Sequence, residues 1–109
     1  PFPFQGNTST IEAVWMGVPV ITLAGETFAS RHTLSHLFTI GLPELVANDR
    51  DDYVKIAVDH AKDAKKLEFL RVGLRDRVAE SPICDGKKFA DGFVKVMREI
   101  WHDWCSLQQ

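Results

Sequence analysis

One stretch constrains the fold of this chain more than any other. In residues 6–23 a hydroxyl-rich turn leads into a short amphipathic helix and then an apolar strand. One apolar helix face is predicted from residues spaced three or four apart: Ile11, Val14, Trp15 and Val18. Gly17 suits a left-handed helix end, and Pro19 prevents the helix from continuing. Val18 to Leu23 is apolar except for Thr22, as in a central parallel strand, so the stretch predicts an αβ unit of a doubly wound sheet.

The start of this helix is a candidate anion site. The first N–H groups of a helix have no partner within it, and the helix dipole is positive there. Gly6 allows close approach of a ligand, and Thr8, Ser9 and Thr10 add hydroxyl groups, so a phosphate would fit. Glu12 could then accept a hydrogen bond from a ribose hydroxyl. The alternative is that Ser9 and Glu12 form a capping box and bind nothing.

A family resemblance runs along most of the chain. Residues 1–20, Pro-Phe-Pro-Phe-Gln-Gly-Asn-Thr-Ser-Thr-Ile-Glu-Ala-Val-Trp-Met-Gly-Val-Pro-Val, resemble the donor-nucleotide segment of the O-GlcNAc transferase and SPINDLY family, glycosyltransferase family 41. Residues 25–31, Gly-Glu-Thr-Phe-Ala-Ser-Arg, are similar to a second family segment. Further matches follow it at Ser35, Leu37, Gly41, Glu44, Leu45 and Val46. A third match is residues 81–85, Ser-Pro-Ile-Cys-Asp, before a long last helix that carries Trp101.

The resemblance implies an α/β fold: the C-terminal part of the second, Rossmann-like lobe of a GT-B glycosyltransferase. Such a piece is helix-rich with a short parallel sheet, and residues 1–109 would be one incomplete domain. Because the chain begins at Pro1 rather than Met, and too few strands are predicted, we expect further strands and the other lobe upstream. Many relatives also carry tetratricopeptide repeats there.

The resemblance also implies an activity. Family members transfer a sugar from a nucleotide diphosphate to protein side chains, and most resemble enzymes that transfer GlcNAc from UDP-GlcNAc to Ser or Thr. Plant SPINDLY proteins use GDP-fucose, and a bacterial branch glucosylates asparagine, so both stay as alternatives. The nucleotide sugar is the expected substrate, with an acceptor protein as partner and no metal or other cofactor.

Site residues follow position by position from the resemblance. Asn7, Thr8 and Ser9, with Thr10 beside them, match the residues that bind the donor phosphates, and Glu12 matches the acidic residue that binds the ribose. Animal enzymes have histidine in place of Asn7 and aspartate in place of Glu12. The family's phosphate-binding lysine and acceptor site would lie upstream. No catalytic residue can therefore be assigned, and we expect the isolated chain to be inactive.

A second group of candidate donor residues lies in the loop after the strand. Arg31 falls in the first turn of a predicted helix from Phe28 to Ile40, capped by Thr27. A cation there opposes the helix dipole and needs a partner. That partner is either a ligand phosphate or a carboxylate, of Glu26 or of another residue. The salt bridge is favoured, because the family pattern Gly-Glu-x-x-x-Ser-Arg could serve to fix this loop.

The rest of the chain is predicted to have a structural role. A short strand is predicted at Leu45 to Ala47, and helices at residues 51–63, 65–80 and 86–106. His60 falls on an inner helix face, which favours packing over ligand binding. The last helix carries an apolar stripe that, by resemblance, would cross to the first lobe: Phe89, Phe93, Met97, Ile100, Trp101 and Trp104.

Composition excludes several other classes. A net charge of −2 does not indicate binding to nucleic acid or to an anionic membrane. No apolar run is long enough to span a bilayer. Cys84 and Cys105 are too far apart along the last helix to pair, so free thiols in a reducing, cytoplasmic compartment are expected. No cysteine or histidine spacing indicates a metal site. The remaining alternatives are a non-catalytic helical interaction domain and a GT-B enzyme with another donor.

Overall fold

A computed structural model describes residues 3–109. Within this range the chain forms five α-helices and one two-stranded sheet: α1 (Thr8–Trp15), β1 (Thr22–Leu23), α2 (His32–Thr39), β2 (Val46–Ala47), α3 (Arg50–Lys62), α4 (Ala64–Ala79) and α5 (Gly86–Leu107). Three 3₁₀ turns lie between them: Phe28–Ser30, Pro43–Leu45 and Pro82–Cys84. The extended entry expected at residues 1–5 falls partly outside the described residues, at Pro1 and Phe2.

The sheet is parallel, as predicted, but shorter than predicted. Thr22 pairs with Val46, and Leu23 with Ala47. The expected strands at 18–23 and 45–47 were too long. A ladder extends only as far as its neighbouring strand, and Leu45 is bent into a 3₁₀ turn. Within residues 3–109, β2 is the sole strand neighbour of β1.

The core forms between α1, α2, α4 and the Pro43–Leu45 turn, with α1 packed against both α2 and α4. Its buried side chains are Val14, Leu37, Ile40, Leu42, Leu45, Leu70, Leu74 and Val78. On α4, Leu70, Leu74 and Val78 are buried, and Leu67 is half-buried. Trp15 packs at the edge of this core, with the Arg75 guanidinium carbon 4.6 Å from its ring centroid.

Two helices end at glycines, one of them the predicted Gly17. Gly17 and Gly41 have φ values of +81° and +75°, and both follow helices. Beyond Gly17, the Val18 N–H donates to the Ala13 carbonyl, which closes the turn that ends α1. The chain thus leaves α1 at this turn and continues to β1, which begins at Thr22.

The capping box predicted for α1 was wrong. The N-cap is Asn7 rather than Ser9, and its side chain makes no capping hydrogen bond. Ser9 lies in the first turn, and Glu12 is exposed on the second. The helix starts earlier because buried hydrogen bonds to α2 hold the residues before it, Gln5 and Gly6.

The helix predicted from Phe28 to Ile40 is interrupted. Its first part is a 3₁₀ turn capped by Thr27, as expected, and α2 starts only at His32. The N–H groups of Thr33 and Leu34 donate to the Gln5 side chain, which replaces their helical bonds. The carbonyls that would have accepted them, on residues 29 and 30, bind the N–H groups of residues 5 and 25.

The C-terminal half follows the predicted boundaries within one residue at each helix end. Asp49 caps α3 by accepting from the Asp52 N–H, and His60 is confirmed as a packed histidine, since its Nδ1 donates to the Ile56 carbonyl at 2.9 Å. No residue of α5 is buried. Among residues 3–109, no helix is both long and apolar enough to cross a membrane.

Candidate functional site

A buried polar network centred on Gln5 builds the turn before α1. The Gln5 side chain is 2% exposed, and its Nε2 donates to the Leu23 carbonyl at 2.9 Å. Its Oε1 accepts from the backbone N–H groups of Thr33, at 2.9 Å, and Leu34, at 3.3 Å. One side chain therefore joins three parts of the site: the turn before α1, the end of β1 and the start of α2.

The hydroxyl of Thr33 completes this network. It donates to the Gly6 carbonyl at 2.7 Å, so its single hydrogen is engaged. The Thr10 hydroxyl, 2.9 Å away, must then be the donor in the Thr10–Thr33 hydrogen bond. The Thr10 hydroxyl hydrogen is therefore not free for a ligand, whereas its backbone N–H is. A Cβ at Gly6 would lie 2.9 Å from both the Ser9 and the Thr10 hydroxyl oxygens, so this turn has no room for a side chain.

The amino end of α1 is left open. The first helical hydrogen bond joins the Ile11 N–H to the Asn7 carbonyl. Within residues 3–109, the N–H groups of Thr8, Ser9 and Thr10 consequently have no protein partner, and no side chain caps the helix. Three unsatisfied donors at the positive end of the helix dipole favour an anion.

The Asn7 side chain contacts α2 instead of its own helix. Its Oδ1 lies 2.7 Å from Nε2 of His36. Burial, and secondarily the nearby His32, lowers the pKa of His36, which favours the neutral ring. Asn7 itself is exposed beside the open helix end.

A cleft of about 720 Å³ lies beside this helix end. Gly6, Ser9 and Thr10 line one side of it, and the start of α3, from Arg50 to Val54, lines another. Four successive residues, 20–23, also line it. The cleft therefore also borders β1 and the two residues that precede it. Of the predicted donor residues, Asn7, Thr8 and Glu12 lie outside this lining and are exposed.

The loop after β1 holds the second group of predicted residues. The Arg31 side chain donates from Nη1 to the Gly25 carbonyl at 2.8 Å. Among residues 3–109 it forms no ion pair with Glu26, so the favoured Arg31–Glu26 pairing was wrong. The Gly25 carbonyl is within reach of the guanidinium because the tight 25–30 turn places it there, and Glu26 stays exposed.

Comparison with known proteins decides the family. The model of glycosyl transferase family 41 matches residues 3–93. The chain belongs to glycosyl transferase family 41. It is 43% identical, over 95% of its length, to SPINDLY proteins of Hordeum vulgare and Arabidopsis thaliana. Both carry names that describe a UDP-N-acetylglucosamine peptide N-acetylglucosaminyltransferase, and the chain spans 11% of each.

Two further matches, at lower sequence identity, support the same family. A Caenorhabditis elegans protein with the same enzyme name is 33% identical over 89% of the chain, which spans 8% of that protein. A solved structure of a mutant Thermobaculum terrenum O-GlcNAc transferase superposes with a TM-score of 0.90 at 36% identity. That match covers 99% of this chain and 21% of the other. The expected fold, a piece of a GT-B glycosyltransferase lobe, is thereby confirmed.

Three residues that shape the site were missed in the sequence. Gln5 stood in a presumed loop, and neither Thr33 nor His36 was among the matched positions of the second predicted helix. Their hydrogen bonds join the α1 turn to α2 across 23 or more positions of sequence. No local pattern signals such pairs, since they depend on how α2 docks.

Proposed function

We propose that this chain forms the donor-binding part of a protein glycosyltransferase that transfers GlcNAc from UDP-GlcNAc to serine or threonine. The observation that carries the proposal is the open amino end of α1 beside a cleft, in a family 41 chain. The names of the SPINDLY and Caenorhabditis elegans relatives support the same donor. Transfer of fucose from GDP-fucose, or of glucose to asparagine, is the alternative for the same site.

The chemistry follows from the donors at this helix end. As the sugar departs, negative charge grows on the β-phosphate, and preorganised N–H groups stabilise that charge. The backbone N–H groups of residues 8–10 and the side chains of Asn7, Thr8 and Ser9 supply hydrogen-bond donors, while Glu12 accepts from the ribose. Glu26 and Arg31 shape the neighbouring loop. Because the phosphate meets only hydrogen-bond donors here, we propose that no metal ion assists this part of the site.

The unpaired surfaces of the chain indicate what else the protein must contain. Among residues 3–109 the edge of β1 opposite β2 has no strand partner, and the apolar stripe of α5 is more than 45% exposed at all six positions. We propose that strands of the same lobe cover the first surface and that the upstream lobe covers the second. Tetratricopeptide repeats further upstream and a cytoplasmic location, in keeping with the free thiols of Cys84 and Cys105, complete the proposal.

A transfer assay on the full-length protein tests the function. The protein is incubated with UDP-GlcNAc, UDP-glucose or GDP-fucose and a panel of acceptor peptides. The mass added to a peptide identifies the sugar, and fragmentation identifies the residue. We expect GlcNAc on serine or threonine. Absence of transfer from all three donors would favour the non-catalytic interaction domain instead.

We expect Glu12→Ala to raise the KM for the donor about tenfold with kcat nearly unchanged. A ribose contact stabilises ground state and transition state alike, and hydrogen bonds to a charged group contribute about 1.5–3 kcal/mol. Glu68→Ala, which removes an exposed glutamate on α4, is the matched control and should change neither constant. An unchanged KM in Glu12→Ala would remove Glu12 from the site.

We expect Trp101→Lys to loosen α5 from the rest of the full-length protein. Trp101 is 63% exposed in this chain, and burying it beneath another lobe would remove a large apolar surface from water. Hydrogen–deuterium exchange across residues 93–107 should rise strongly. Ser106→Lys adds the same charge on the opposite face of α5 and should leave exchange unchanged. Equal exchange in both variants would contradict docking through the stripe.

A further inference from the structure

The Asn7 side chain does not do what an N-cap asparagine ordinarily does. At this position the side-chain oxygen usually accepts from the second or third N–H of the helix, here Ser9 or Thr10. No such bond is present, and the oxygen lies 2.7 Å from Nε2 of His36. His36 therefore holds the group that would otherwise close the end of α1.

The hydrogen in the Asn7–His36 hydrogen bond must belong to His36. A carboxamide oxygen only accepts hydrogen bonds, so Nε2 of His36 carries the hydrogen. The Asn7 Nδ2–H2 group, on the other arm of the same planar amide, has no protein partner among residues 3–109. The helix end then presents donors alone: this amide group and the N–H groups of residues 8–10.

His36 is well placed to impose this arrangement. It is half-buried, and it lies one turn after Thr33, whose backbone and hydroxyl are bonded to Gln5 and Gly6. The start of α2 is thereby tied to the turn that precedes α1. The distance between His36 and Asn7 is consequently set by buried contacts rather than by two free surface side chains.

We propose that His36 is a positioning residue of the donor site, an inference that rests on the function proposed above. By holding Oδ1 of Asn7, His36 keeps the N–H groups at the start of α1 available for a diphosphate and leaves Nδ2–H2 of Asn7 as a further donor. Without His36, the Asn7 oxygen caps its own helix and competes with the ligand. A diphosphate offers acceptors only, so it matches the open arrangement and not the capped one.

The test measures UDP and GDP affinity of the full-length protein by calorimetry, together with hydrogen–deuterium exchange across residues 6–12. For His36→Leu we expect about tenfold weaker UDP binding and slower exchange of the amides of Ser9 and Thr10, because the Asn7 oxygen now caps them. His36→Gln retains a side-chain N–H of similar reach and should restore both values. His102→Leu, an exposed histidine on the polar face of α5, should match the wild type.

The outcomes separate this inference from the proposed function. If the wild-type protein binds neither UDP nor GDP, the donor site itself is wrong. If it binds UDP but His36→Leu binds within about twofold of it, the positioning role is overturned and the donor site stands. Faster exchange across residues 6–12 in His36→Leu, without rescue by His36→Gln, would show a merely structural role and also overturn the inference.

Discussion

Gln5→Leu will destabilise the protein by about 3–9 kcal/mol and abolish nucleotide binding. The leucine fills the space but leaves the Leu23 carbonyl and two N–H groups of α2 without partners in a site that is 2% exposed. Each buried polar group left unsatisfied costs about 1–3 kcal/mol. Net stabilities of domains are about 5–15 kcal/mol, so this loss is a large fraction of the total.

The measurement is the unfolding midpoint in urea, with UDP affinity determined below the transition. Gln108→Leu is the matched control, because Gln108 is exposed after α5 and makes no side-chain hydrogen bond among the described residues. Its midpoint should equal that of the wild type. A Gln5→Leu midpoint equal to the wild type would show that water or a shifted backbone satisfies the three groups, and that the network does not build the site.

Gly17→Ala will destabilise the protein by about 2–5 kcal/mol. The residue has a φ of +81°, where an L-residue costs about 1–2 kcal/mol. In addition, a Cβ would lie 2.8 Å from the Arg71 backbone carbonyl, so α4 must move away from α1. Overpacking of this kind adds about 1–3 kcal/mol. The displacement would expose the core residues Val14 and Leu74.

Alanine substitutions of two other glycines serve as controls for Gly17→Ala in the same urea unfolding experiment. Gly41 has a similar φ of +75°, but a Cβ there meets only the flexible Arg77 guanidinium at 3.6 Å, so Gly41→Ala should cost about 1–2 kcal/mol. Gly73 lies within α4 with open space around it, so Gly73→Ala should stabilise by about 0.5–1 kcal/mol. Equal losses for Gly17→Ala and Gly41→Ala would contradict the clash with Arg71.

Local physics explains which sequence predictions succeeded. Helices α3, α4 and α5 begin and end within a residue of their predicted limits. Their starts are fixed by Asp49, Asp63 and Asp85, because each aspartate side chain accepts a hydrogen bond from the backbone N–H three residues later. Gly17 and Gly41 end helices because they adopt positive φ without a steric penalty. These signals lie within a few residues of the structure that they specify.

Two of the three errors share one cause. The Ser9–Glu12 capping box, the unbroken helix from Phe28 to Ile40 and the Arg31–Glu26 pair are each reasonable from their neighbours in sequence. In the structure, Gln5 takes the N–H groups that would have continued the second helix, and a backbone carbonyl satisfies Arg31. At both helix starts, hydrogen bonds between distant segments replaced the local ones, whereas Arg31 binds a carbonyl only six positions away in its own loop.

The sequence by itself determined the family and the parallel αβ arrangement, because motifs and periodicity record local backbone requirements. Only the tertiary structure decided that α1 is uncapped, that Thr10 donates its hydroxyl hydrogen to Thr33, and that His36 holds Asn7. These features need α2 docked against the turn before α1. The buried contacts that dock it join residues 23 to 29 positions apart, a separation at which no pattern in the sequence reports a partner.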